Sequence, residues 1–193
     1  MRFTFRGSFA VLAIAFALAS TPARAADGIT GLEAMTSTVF QKGQSSFSGV
    51  GIRMRIHSAQ VLPNVEFRPS IQYWRNAISV DDFQLSAVRK DATLGGDALW
   101  LFPLESRAFE PYLGGGFGIH FLSSEVNSPQ IANSPATNSV QKGALSLVGG
   151  LRFGKEQRFG NFVEVEYHMV PQAQQLKLHI GFNWNAGVLP AAK

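Results

Sequence analysis

The 193-residue chain carries no cysteine, 19 glycines and 16 phenylalanines, with 46% hydrophobic residues, 16% charged residues and a formal net charge of +4. That length suits one domain, and the missing cysteine excludes a disulfide scaffold, a thiol nucleophile and any cysteine-ligated metal. A mean hydropathy of +0.06 argues against a disordered or nucleic-acid-wrapping chain, so no nucleic-acid partner is expected.

Residues 1–25 open the chain with Arg2 and Arg6, continue with an apolar stretch from Phe9 to Ala19, and end on Ala23-Arg24-Ala25. A basic start, a short apolar run and an A-x-A site are the layout of a secretory signal peptide, cut between Ala25 and Ala26. The run is too short to span a bilayer as a helix, which takes about 20 residues. The segment holds three of the 17 basic residues and none of the 13 acids, so the remaining domain, 26–193, is nearly balanced, 14 against 13.

Beyond it, period-2 alternation replaces helical patterning. Leu32 to Gln41 is a weakly patterned candidate strand. Val50, Ile52, Met54 and Ile56 then oppose Gly51, Arg53, Arg55 and His57. Val65, Phe67, Ile71 and Tyr73 oppose Glu66, Arg68, Ser70 and Gln72. In the stretch from Phe83 to Phe102, Ala92, Leu94, Ala98, Trp100 and Phe102 oppose Asp91, Thr93, Gly95 and Asp97. Phe83 and Leu85 fall on the other parity, which predicts a bulge near Val88 to Lys90. Leu113, Phe117, Ile119 and Phe121 alternate with Gly114, Gly116, Gly118 and His120.

Ser123 to Lys142 is rich in Ser, Asn and Pro without alternation and reads as a long polar loop. Three strands follow: Gly143 to Phe153, Phe162 to Met169, and Leu176 to Asn185, the last with every even position apolar through Trp184. Shorter turns fall at Ser58 to Asn64, Pro103 to Glu110 and Gly154 to Asn161. Seven clear strands and one weak one imply an all-β, closed antiparallel up-and-down transmembrane barrel of about eight strands, because bacterial barrels close with an even number.

Alternation suits either a soluble lipocalin-like ligand-binding barrel or an outer-membrane barrel with its apolar face toward lipid. Two features favour the membrane. Gly49, Gly51, Gly95, Gly114, Gly116, Gly118, Gly150 and Gly181 share the polar parity, where a narrow interior needs small residues. Aromatics on the apolar parity gather at strand ends: Trp100, Phe102, Phe153, Phe182 and Trp184 toward the periplasmic rim, Tyr73, Phe121 and Tyr167 toward the outer rim. The polar parity then sends Arg53, Arg55, Arg68, Arg152 and Lys177 inward with Glu66, Asp91, Asp97, Glu164, Glu166 and His168. Charges removed from bulk water must pair, so this set predicts a lumen plugged by a salt-bridge network. A freely conducting pore takes about 16 strands.

The Pro111-Tyr112-Leu113-Gly114-Gly115-Gly116-Phe117-Gly118 strand, the Leu94-Gly95-Gly96-Asp97-Ala98-Leu99-Trp100 strand and the closing Ile180-Gly181-Phe182-Asn183-Trp184 resemble the small outer-membrane β-barrel superfamily typified by OmpA and OmpX. The resemblance implies a Gram-negative outer-membrane location, contact with outer-membrane lipid, insertion by the barrel-assembly machinery, and a structural, adhesive or host-interaction role. A surface ligand would meet the Ser123 to Lys142 loop. The chain departs from that pattern in the tail, Ala186 to Lys193, that follows its last aromatic residue.

Enzymatic barrels of the lipid A deacylase family carry a His-x-Ser pair on the penultimate strand. Here His168 is present and Val170 takes the serine position, so that hydrolase lacks its nucleophile. The glycine cluster at Gly114 to Gly118 opens no helix, and no G-x-S-x-G elbow occurs. Glu164 and Glu166 are better placed to pair with arginines than to perform acid–base work. Metal binding would need His57, His120, His168 and His179 to converge from four strands. The expectation is a non-enzymatic protein with no catalytic residues, cofactor or metal.

Overall fold

In the computed structural model, which describes residues 27–58, 62–80, 85–104, 109–127 and 136–186, eight strands follow one another around a closed barrel. They are β1 (Asp27–Gln41), β2 (Phe47–Ser58), β3 (Val65–Val80), β4 (Leu85–Leu101), β5 (Phe109–Asn127), β6 (Ala136–Phe153), β7 (Phe159–Met169) and β8 (Gln175–Asn185). Each pairs antiparallel with the next, and β8 closes on β1 from Gly31↔Asn185 to Gln41↔Gln175. The weakly patterned segment at Leu32 to Gln41 is therefore the closing strand. With an even strand number, β1 starts and β8 finishes at one rim, the near end. The cleavage site at Ala25 and Ala26 and the tail beyond Ala186 lie outside the described residues.

Alternation fixes which face is which. Along β7 and β8 burial switches at nearly every residue, with Glu164, Glu166, Lys177 and His179 buried and Val163, Val165, Leu178 and Ile180 exposed. The outer wall is apolar and open: Leu113 is 58%, Leu145 59% and Phe182 70% exposed. A water-soluble protein does not expose a continuous apolar belt of this kind. Inside, the missing Cβ atoms matter at Gly150, which lies against the ring of Tyr112, and at Gly181, which lies against the ring of Phe162.

Three expectations need correction. Ser123 to Lys142 is mostly paired strand: β5 and β6 stay in register out to Val126↔Ala136, and β3 and β4 out to Val80↔Leu85. Their alternation fades there because both faces meet water, yet the backbone ladder continues. The bulge near Val88 to Lys90 is absent, since β4 holds one register against β3 and against β5 through Ala87↔Ile78 and Val88↔Glu125. Phe83 lies outside the described residues. The register shift observed is in β1, between Ile29 and Gly31. Finally, Glu110 belongs to β5 and not to a turn, and it is buried.

The far rim is consequently uneven. Strands β3 to β6 rise beyond their partners, because β6 loses β7 above Leu145↔Met169 and β3 loses β2 above Gly49↔Trp74. Lys142 ties the two heights together by donating from Nζ to the Pro171 carbonyl at 2.8 Å.

Candidate functional site

The lumen holds the densest chemistry of the molecule, and it is arranged in layers. Nearest the near end, Arg152 on β6 reaches acids from three other strands. Its Nη2 donates to Glu33 (3.0 Å) and Glu66 (2.8 Å), and its Nη1 donates to Glu110 (2.9 Å). Arg55 donates to Glu66 at 2.9 Å and to Asn185 at 2.6 Å. Arg68, fully buried, lies 2.7 Å from Glu164, 3.3 Å from Glu33 and 3.5 Å from Asp97. Tyr112 sits between the two guanidiniums, which face its ring at 5.1 and 5.2 Å, and its hydroxyl donates to Glu164 at 2.9 Å.

Arg53 joins this layer to the next, donating to Glu164 at 2.6 Å and to Glu166 at 3.1 Å. Above it a hydrogen-bonded file crosses the barrel. Asp91 lies 2.6 Å from His120 Nδ1, His120 Nε2 lies 2.9 Å from His168 Nδ1, and His168 Nε2 lies 2.6 Å from Glu166. The other oxygen of Glu166 lies 2.7 Å from His179 Nε2, whose Nδ1 lies 2.7 Å from the Ser37 hydroxyl. Lys177 donates to Gln72 Oε1 at 2.8 Å. Over this file Val39, Phe47 and Trp74 form an apolar cluster with Leu122 packed against it, the Phe47 and Trp74 rings 4.4 Å apart.

All eleven charged and histidine residues singled out from the sequence are buried. They do not make one uniform network. Arg53, Arg55, Arg68, Arg152, Glu66, Asp97 and Glu164 form the guanidinium–carboxylate lattice, whereas Asp91 and His168 belong to the imidazole file, Glu166 joins the two through Arg53 and His168, and Lys177 meets an amide. Glu33, Glu110, Tyr112, His120 and His179 are equally integral and were outside the expected set. Glu33 was hidden because β1 turns Ala34, Thr36 and Thr38 outward, so its two faces contrast little. The buried parity of His120 and His179 was the available signal.

Chemically, the arrangement neutralises and fills. Glu164, Glu166 and His179 bring ligand-type atoms within 4.8 Å of one another, but the guanidinium of Arg53 already takes the place a cation would fill. Ser37, His179 and Glu166 have the order of a nucleophile, base and acid. The Ser37 side chain is buried, however, and Glu166 is shared with Arg53, Gln72 and His168. Val170, at the position a deacylase-type serine would take, is buried as well. His57 stands apart at the near end, its Nδ1 2.8 Å from the Val65 carbonyl. There a cavity of about 280 Å³ opens among Arg55, His57, Glu66, Glu110 and Lys155. An apolar ligand cavity of lipocalin type is not what the charged lumen offers.

On the outer wall, Trp100, Phe102, Phe153, Phe182 and Trp184 lie toward the near end, and Tyr73, Phe121 and Tyr167 toward the far end. Phe40, Phe109 and Phe159 add exposed rings near the rims. Trp74 and Tyr112 are turned inward.

No protein-family model and no curated protein matches the chain. Solved structures do. Ail, the attachment invasion locus protein of Yersinia pestis, seen in complex with the heparin analogue sucrose octasulfate, is 14% identical over 82% of this chain and 99% of that one, with a TM-score of 0.59. Neisserial surface protein A is 14% identical over 81% and 95%, with a TM-score of 0.59. The N-terminal β-barrel domain of Pseudomonas aeruginosa OprF is 14% identical over 82% and 98%, with a TM-score of 0.52. The chain thus has the closed eight-stranded architecture of the small outer-membrane β-barrels.

Proposed function

We propose that this protein is an integral outer-membrane barrel of a Gram-negative bacterium, non-enzymatic, with a plugged lumen and a surface-interaction role at its far end. The observation that carries the reading is the inversion of polarity: paired charges fill the interior while the exposed wall is apolar from rim to rim. Only a bilayer rewards that distribution, since lipid takes the place of water against the wall. The two sets of rim aromatics then serve as interfacial girdles, and residues 1–25 as an export signal removed between Ala25 and Ala26.

The plug is supported by the lattice around Arg53, Arg68 and Arg152, whose charged side chains meet across the lumen. The interaction role rests on the extension of β3 to β6. Its outer strands expose unpaired backbone groups, and such edges can accept an extended segment of a surface partner. Export would bring the chain to the barrel-assembly machinery for insertion.

The test is fractionation together with conductance. After carbonate washing the mature protein is expected in the outer-membrane fraction, starting at Ala26. Reconstituted in a planar bilayer it is expected to give no steady conductance steps, and lipid A recovered from overexpressing cells is expected to keep all its acyl chains. Release into the soluble periplasm overturns the membrane reading. Steady conductance overturns the plug, and loss of an acyl chain overturns the non-enzymatic assignment.

A further inference from the structure

Two lateral rows cross the outward face of the extension where it leaves the wall. The lower row is Tyr73, Ala92, Phe121 and Gln141, each directly opposite the next on β3, β4, β5 and β6. The row two residues farther along is Arg75, Lys90, Ser123 and Ser139, paired in the same way. By strand parity all four point outward, and Arg75 and Ser139 are exposed. The upper row therefore presents two cations and two hydroxyls side by side, with no acid among them.

The Arg75–Lys90 pair is unfavourable unless an anion lies against both. Like charges directly opposite on paired strands have Cβ atoms about 5 Å apart and repel. Lys90 finds Glu125 one row higher, at 3.3 Å and half exposed, while Arg75 makes no ion pair among the described residues. The position of the row says what the anion is. Two residues along a strand tilted at about 40° raise the row roughly 5 Å above the Tyr73 and Phe121 rings. Interfacial aromatics sit at headgroup level, so the row meets the phosphate layer of the outer leaflet.

We propose that Arg75 and Lys90, assisted by the Ser123 and Ser139 hydroxyls, form an outward-facing site for the phosphate of a phosphorylated outer-leaflet lipid. The guanidinium fork and the ammonium supply charge-assisted hydrogen bonds to phosphate oxygens, and the hydroxyls supply neutral ones. Bound phosphate removes the Arg75–Lys90 repulsion and fixes the height of the extension above the membrane. The site rests on the outer-membrane reading and adds a lipid class to it.

The experiment uses the folded barrel reconstituted in phosphatidylcholine bilayers doped either with diphosphoryl lipid A or with the same lipid A after dephosphorylation. Lipid retained on the detergent-extracted protein is then measured by native mass spectrometry. The wild type is expected to retain the phosphorylated form about tenfold more, a contribution near that of one or two basic residues at a charged surface. The preference is expected to collapse in the Arg75→Gln/Lys90→Gln double variant and to persist in Lys155→Gln, which removes a cation from the opposite rim. Equal retention of both lipids by the wild type, or an undiminished preference in the double variant, overturns the site. A barrel that fails to enter phosphatidylcholine bilayers at all overturns the outer-membrane reading, and the site falls with it.

Discussion

Strands β3 to β6 do two jobs along their length, and the two stretches obey different rules. Within the wall, each strand has one face toward the apolar exterior and one toward the charged lumen, and the residues alternate strictly. In the extension above it the same strands continue in unbroken register, with Ser123, Glu125, Thr137, Ser139 and Gln141 on the outward face of β5 and β6 and Leu122, Ser124, Val126, Asn138 and Val140 on the other, where Val126 and Val140 are themselves exposed. Alternation is thus enforced by the contrast between two environments, while strand pairing needs only backbone partners. The wall derives its stability from what its side chains meet, and the extension from its ladder.

That contrast can be tested by attacking each stretch with the change it should tolerate least. The largest effect is expected in the lumen. Arg152→Leu leaves Glu33, Glu66 and Glu110 converging on a vanished cation and should cost about 3–5 kcal/mol in urea unfolding of the folded barrel. A cost below about 1 kcal/mol would mean that the lattice merely fills space. Next comes Gly150→Val, which drives a side chain into the Tyr112 ring and the Val163 carbonyl; the expected cost is about 1–3 kcal/mol by the same measurement. The smallest effect on global unfolding belongs to the extension. Val140→Pro puts a proline into the paired strand opposite Leu122 and should change barrel stability by less than about 1 kcal/mol. Amide exchange between 136 and 142 should nonetheless accelerate strongly. If that variant unfolds as easily as Arg152→Leu, the two stretches are one cooperative unit and the comparison fails.

The same contrast explains what could be read from the sequence. Strands flanked by lipid and lumen announced themselves, so the barrel, its strand number and most of its inward charges were legible. The paired segment within Ser123 to Lys142 was read as loop because nothing in a two-sided wet strand distinguishes it from one. Glu33 escaped because the outward residues of β1 are small or hydroxylated, and Glu110 because Pro103 and Pro111 bracket it in a stretch rich in turn signals. The inward turn of Trp74 and Phe47 breaks the rule that apolar means outward. It does so just where the charged interior needs a lid and an apolar side chain can meet another across the lumen. Pairing partners were illegible throughout, since which acid meets which arginine depends on the circumference of the closed sheet and not on distance along the chain.

The position of Arg152 carries a further consequence, one for the way this barrel can change over time. Its guanidinium binds acids contributed by β1, β3 and β5, so no single exchange at that position can be absorbed by its immediate neighbour. A drifting lineage would have to alter three distant codons together or keep all four. The extension faces no such demand, since its exposed side chains answer only to water and to whatever they touch. The barrel therefore joins an interior whose residues constrain one another across the lumen to a crown that, apart from Leu122 and the Arg75–Lys90 row, can change one position at a time.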